Sequence, residues 1–113
     1  MAKIERFEDL IIWQKGAQVA IAIYALSDVG KLKGDNGAKD QIRRSATSIS
    51  NNIAEGFEYN NNREFIRFLR FSKGSCGELG SQLFVLSQSG FVAATEMKSC
   101  TKNCLLFPSR LVR

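Results

Sequence analysis

The 113-residue chain has no histidine, one proline, one tryptophan and three cysteines. Without histidine it lacks the commonest general base near neutral pH and the usual nitrogen ligand of zinc. Cys76, Cys100 and Cys104 are odd in number and form no disulfide framework; they read as reduced thiols that pack as small apolar side chains. Cys100 and Cys104 have Cys-x3-Cys spacing, but a structural zinc site needs about four ligands. Pro108 is the single proline, so no proline breaks a helix before it. The longest uninterrupted apolar run, residues 19–26, is too short to span a bilayer, and the first six residues mix both charge signs. These absences lead us to expect a cytoplasmic protein with no membrane segment, metal or cofactor.

Catalytic groups are equally scarce. Glu55 and Glu58 lie close in sequence without the further carboxylates of a two-metal or glycosidase site. Ser45, Ser48 and Ser50 neighbour Arg43 and Arg44, but no base is at hand to activate a hydroxyl. Residues 30–34, Gly-Lys-Leu-Lys-Gly, lack the Gly-Lys-Ser/Thr spacing of a phosphate loop. A non-catalytic protein with no small-molecule substrate is expected.

What the chain does contain is helical periodicity. Its 44% hydrophobic content and lack of low-complexity stretches suit one globular domain over residues 1–113, able to bury roughly two-thirds of its unfolded surface. Helices are expected at about residues 7–26, 37–55, 62–87 and 93–107, giving an all-α, up-and-down four-helix bundle with a short or irregular fourth helix. In the first, Leu10, Trp13, Ala17, Ile21 and Tyr24 mark one face; Ile12, Val19, Ile23 and Leu26 widen the apolar arc. Trp13 belongs to that apolar series and should anchor a core or interface. Gly30, Gly34 and Gly37, with Asp35 and Asn36, mark residues 28–37 as a loop.

The second helix carries two stripes. Ala38, Ile42, Ala46, Ile49 and Ile53 share one face at about 100° per residue, and Gln41, Arg44, Ser48, Asn52 and Glu55 share another, roughly 120° away. Arg44, Asn52 and Glu55 are expected to join a hydrogen-bonded network between helices or subunits, because a buried charge requires a partner. Arg43 points about 100° from Arg44, toward solvent or nucleic acid. Gly56 has the character of a left-handed residue just past a helix end. Asn61 and Glu64 have capping-box spacing at the start of the third helix.

That third helix bears a heptad seam, Phe65-Leu69-Ser72-Cys76-Leu79-Leu83-Leu86. Gly74, Gly77 and Gly80 each cost about 1 kcal/mol relative to alanine, which close packing of another helix would offset. After Gly90, Met97, Cys100, Cys104 and Phe107 repeat at helical spacing until Pro108.

Charge is unevenly placed. Residues 1–60 hold eight Lys/Arg and eight Asp/Glu, residues 61–113 eight and three, so the whole net charge of +5 lies in the second half. Arg63, Arg67 and Arg70, with Lys73 nearby, step along one helix face and could track phosphates; Lys98 and Lys102 add an i, i+4 pair.

Three motifs carry a family resemblance: Asp9-Leu10-Ile11-Ile12-Trp13-Gln14, Gln41-Ile42-Arg43-Arg44-Ser45-Ala46 and Asn52-Ile53-Ala54-Glu55-Gly56. In this order, and with Glu64-Phe65 through Glu78-Leu79 following, the chain over about residues 7 to 92 resembles the four-helix-bundle proteins encoded within intervening sequences of bacterial 23S ribosomal RNA genes. That family is similar to the accessory variability protein of diversity-generating retroelements, a ring-forming bundle that binds a reverse transcriptase and nucleic acid. The resemblance implies a homo-oligomer, a pentameric ring, with RNA or a protein as partner. The last twenty residues match poorly.

Overall fold

A computed structural model describes residues 3–106, and all regular structure among them is helical. Phe7–Asp9 form one 3-10 turn, and α1 spans Ile11–Ser27. The helix expected from residue 7 is thus interrupted at Leu10, whose backbone is extended (φ −77°, ψ 125°). Three contacts hold this hook. The Leu10 amide donates to the Phe7 carbonyl at 2.9 Å, Gln14 Nε2 donates to the Glu8 carbonyl at 2.9 Å, and the Trp13 ring meets Phe7 edge-on at 5.2 Å. The Asp-Leu-x-x-Trp-Gln motif therefore closes the start of the bundle.

The face of α1 expected from Leu10, Trp13, Ala17, Ile21 and Tyr24 turns inward only in part: Leu10 and Trp13 pack against the core, Ile21 and Tyr24 are exposed, and Gly16, Val19, Ile23 and Ser27 are buried. A Cβ on Gly16 would lie 3.2 Å from Ile49 Cγ2 and 3.4 Å from the Ser50 Cα. The helix presents the residue without a side chain where its backbone comes nearest its neighbour.

Residues 28–37 are not simply a loop. Gly30–Gly34 form a single helical turn, α2, entered at Gly30 with φ +61°. Leu32 is fully buried from this turn while Lys31 and Lys33 stay exposed, so one apolar side chain between two charges suffices to pin the connection to the core.

Helix α3, Asn36–Glu58, begins where Asp35 Oδ1 accepts from the Ala38 amide at 3.0 Å. Ile42, Ala46, Ile49 and Ile53 are all buried and Ala38 is half-buried, as the apolar stripe requires. Gly56 does not end the helix. It is buried inside it, and a Cβ there would stand 2.6 Å from Phe68 Cβ. The left-handed residue is Asn60 (φ +52°).

Helix α4, Asn62–Gln88, starts with Asn61 Oδ1 accepting from the Glu64 amide at 3.1 Å. Only that half of a capping box forms; the Glu64 carboxylate turns to Arg67 instead. Every residue of the heptad seam is buried or half-buried. Gly90 (φ +83°) reverses the chain, and Phe91 donates back to the Leu86 carbonyl at 2.8 Å. Helix α5 is Ala94–Thr101, followed by a 3-10 segment, Lys102–Leu106. Phe107 and Pro108, expected to close this helix, lie outside the described residues.

Helix α3 is central, packed extensively on α4 on one side and α1 on the other, and α5 with its 3-10 extension bridges α1 and α4. Successive helices run antiparallel, since Ser27 meets Arg43, Ile49 meets Ser72, and Cys100 faces Ala22. The result is an up-and-down bundle whose last helix is short, with Val19, Ile23, Leu32, Ile42, Ile49, Ile53, Leu79 and Leu83 at its core.

Gly74, Gly77 and Gly80 do not mark a close approach among the described residues: apart from the helix's own neighbouring backbone, no atom of these lies within 4 Å of a Cβ placed at any of them. The close approaches are at Gly16 and Gly56. Gly56→Ala is expected to destabilise the protein by about 1–3 kcal/mol through overpacking against Phe68. Gly77→Ala, on the open face of α4, should gain about 1 kcal/mol of helix propensity. Urea denaturation of the two variants checks the pair, and equal effects would contradict the packing described.

Candidate nucleic-acid interface

The heptad seam commits one side of α4 to the core and turns the opposite side outward. Arg63, Arg67 and Arg70 all fall on that outer side and are exposed. Arg63 and Arg70 form no ion pair or hydrogen bond among the described residues. Arg67 is held by Glu64, with Nη2 and Nε donating to Oε1 at 2.9 and 3.2 Å. Lys73 is half-buried beside them.

Aromatic rings surround Arg67. Its guanidinium carbon lies 4.9 Å from the Phe68 ring centroid and 5.3 Å from that of Phe71. Tyr59, in the turn before α4, stacks on Phe68 at 5.4 Å and 19°; Phe71 meets Phe68 edge-on at 5.5 Å. Phe68 is buried at 7% exposure, whereas Tyr59 and Phe71 remain 54% and 46% exposed. These two aromatic residues were missed as site candidates on sequence, although Phe71 follows Arg67 by four residues and so shares its face.

Arg43 is placed elsewhere. Its Nε donates to Ser27 Oγ at 2.7 Å, its Nη2 approaches the Tyr24 carbonyl at 3.5 Å, and its guanidinium carbon sits 4.3 Å from the Tyr24 ring centroid. These contacts tie the C-terminal turn of α1 to α3. They also satisfy the end of a helix, where unpaired carbonyls attract cations.

The polar stripe of α3 divides. Gln41, Arg44, Ser45 and Ser48 line a groove of about 350 Å³ with Glu78 and Gln82 of α4. The Ser48 hydroxyl bonds that of Ser75, and Asn52 Nδ2 donates to the Ser48 carbonyl at 2.7 Å. Arg44 and Glu55 are exposed, and Arg44, Asn52 and Glu55 form no joint network among the described residues of one chain. Gln82 Oε1 is buried without a hydrogen-bond partner among the described residues. The α4 half of this groove was legible in principle, since Ser75, Glu78 and Gln82 step by three and four.

The three cysteines are free thiols. The Cys76 thiol is held well above its ordinary range by its hydrogen bond to Cys104 and by burial, and that hydrogen bond lowers Cys104. Burial, then the Glu96 charge, pushes Cys100 up. Among the described residues no three His, Cys, Asp or Glu side chains gather as a metal-holding group, and no helix is long and apolar enough to cross a membrane.

Comparison with known proteins bears on this geometry. A family model described as 23S rRNA-intervening sequence protein matches residues 8–111. A crystal structure of a protein of unknown function from the S23 ribosomal protein family of Bacteroides thetaiotaomicron VPI-5482 superposes with a TM-score of 0.76. It is 21% identical, with 89% of this chain and 94% of that one covered, a likeness of fold. No curated protein matches.

The arginines separate by their surroundings. Arg43→Ala should cost about 1–3 kcal/mol, because it removes a charge-assisted hydrogen bond and a ring contact. Arg63→Ala should change stability by less than about 0.5 kcal/mol. Thermal melts followed by circular dichroism check both, and an Arg43→Ala melt matching wild type would contradict a structural role.

Proposed function

The chain belongs to the 23S rRNA-intervening sequence protein family, and from that premise we propose that it is a non-catalytic, oligomeric, RNA-associated protein of the cytoplasm. One observation carries the reading: Arg63, Arg67 and Arg70 line the outward face of α4, and among the described residues the only carboxylate paired with them is Glu64. Exposed guanidinium groups at helical spacing attract phosphates, and contacts of this kind position a nucleic acid without reading its sequence. A ring of copies, a pentamer on the family resemblance, would repeat the patch and join weak contacts into useful avidity.

A second reading is an oligomeric protein-interaction scaffold, such as an accessory subunit of a reverse transcriptase. Phe84 and Val85 favour it. Both are exposed on α4 beyond the basic stretch, and exposed apolar groups of this size suit contact with another polypeptide. A second copy would also offer a partner for the exposed Arg44.

RNA affinity measured against salt separates the two. Phosphate contacts from Arg63 and Arg70, with Arg67 already paired to Glu64, give a log–log slope of about −1.4 per protomer on a single strand, at roughly −0.7 per contact. Neutralising Arg63 and Arg70 together should flatten it by about 1.4 and weaken binding to all sequences alike. No RNA retained at low salt, with the oligomer intact, would favour the scaffold.

A further inference from the structure

We propose that Tyr59 and Phe71 form a stacking platform for the unpaired bases of single-stranded RNA, with Arg63 and Arg70 holding the neighbouring phosphates. This rests on the RNA-binding reading and adds to it the kind of RNA that fits.

The platform is built on Phe68. That ring is buried and fixed, and it fills one side of Tyr59 by stacking (5.4 Å, 19°) while bracing Phe71 edge-on (5.5 Å, 89°). Tyr59 is held in turn by the backbone around it. The Asn60 amide donates to the Phe57 carbonyl at 3.1 Å, Asn60 takes the left-handed conformation, and Asn61 caps α4. Rings already ordered by their neighbours lose little freedom when a ligand arrives. Yet both remain about half exposed, so the bundle leaves aromatic surface uncovered where its buried neighbour Phe68 is not.

Charge decides what such a surface fits. Arg67 lies over Phe68 and Phe71, and Arg63 and Arg70 flank it on the side away from the rings. Arg63 and Arg70 are seven residues apart, about 10 Å along the helix axis. Arg67 is already paired with Glu64, so the exposed Arg63 and Arg70 meet phosphate first, and Arg67 offers the plane of its guanidinium. Cations on one flank and aromatic faces on the other match a strand whose phosphates run along the arginines and whose bases turn inward to stack. In an A-form duplex the base faces are buried against one another and cannot reach these rings.

Fluorescence anisotropy with the full-length protein tests this, using a labelled 12-nucleotide oligoadenylate, the same length as a blunt RNA duplex, and an abasic 12-mer. We expect the oligoadenylate to bind about tenfold more tightly than either comparison RNA, since one stacked base is worth about that factor. Tyr59→Leu with Phe71→Leu should remove this preference and leave the salt slope unchanged. The abasic strand asks the same question of the unaltered protein. Wild-type affinity for the oligoadenylate in the double variant, with Arg63→Ala and Arg70→Ala still weakening it, would overturn stacking and leave RNA binding standing. No binding of any of the three RNAs at low salt would overturn both. If the double variant instead changed the protein's mass by light scattering, with single-strand affinity intact, the patch would be a contact between protein copies and the proposal would fall.

Discussion

The burial of the α3 apolar stripe on two sides at once is the constraint from which the rest of the structure follows. Ile42, Ile49 and Ile53 are each at most 1% exposed. At about 1.5–3 kcal/mol apiece, their burial is comparable to the whole net stability of an ordinary small domain. It requires α1 and α4 to approach α3 closely, and the residues that permit this are small. Gly16 stands against Ile49 and Ser50, and Gly56 against Phe68. Ser72 is accommodated by donating to the Ile49 carbonyl at 2.8 Å, so a polar side chain in the seam becomes a link between helices.

A second consequence is the division of α4. Its inner side is occupied by the seam, and α5 covers part of the space between α1 and α4. The outer side keeps its arginines, its exposed aromatic residues and three glycines with open space around them. Arg43 and Arg67 illustrate how position governs the role of one residue type. Both lie against aromatic rings, but Arg43 is captured by Ser27 and the end of α1, whereas Arg67 is held by Glu64 of its own helix and stays exposed beside Phe71.

Periodicity made the α3 stripe and the α4 seam legible in the sequence, because each depends on spacing along one element; the shortness of the last helix was signalled by its poor match to the family. What depends on the meeting of elements was harder to see. Gly56 has the chemistry of a helix stop, yet the chain continues helical to Glu58 because Phe68 needs the room. The inward face of α1 follows Gly16 rather than the sum of its apolar residues, so Ile21 and Tyr24 remain outside. Leu32 is a single apolar residue between lysines, too little for a periodic pattern but enough to bury from one turn. The basic stripe was visible, and Phe71 shares the face of Arg67, whereas Tyr59 was hidden because it reaches Phe68 from a different element.

The claim that joins fold to function is that α4 holds the bundle with one side and meets RNA with the other. Backbone amide chemical shifts, recorded as a short single-stranded RNA is added to the folded protein, address it most directly. Perturbations concentrated over residues 59–74, with the α3 groove and α1 undisturbed, are the expected result. Perturbations centred instead on Gln41, Arg44, Ser48 and Gln82 would contradict it.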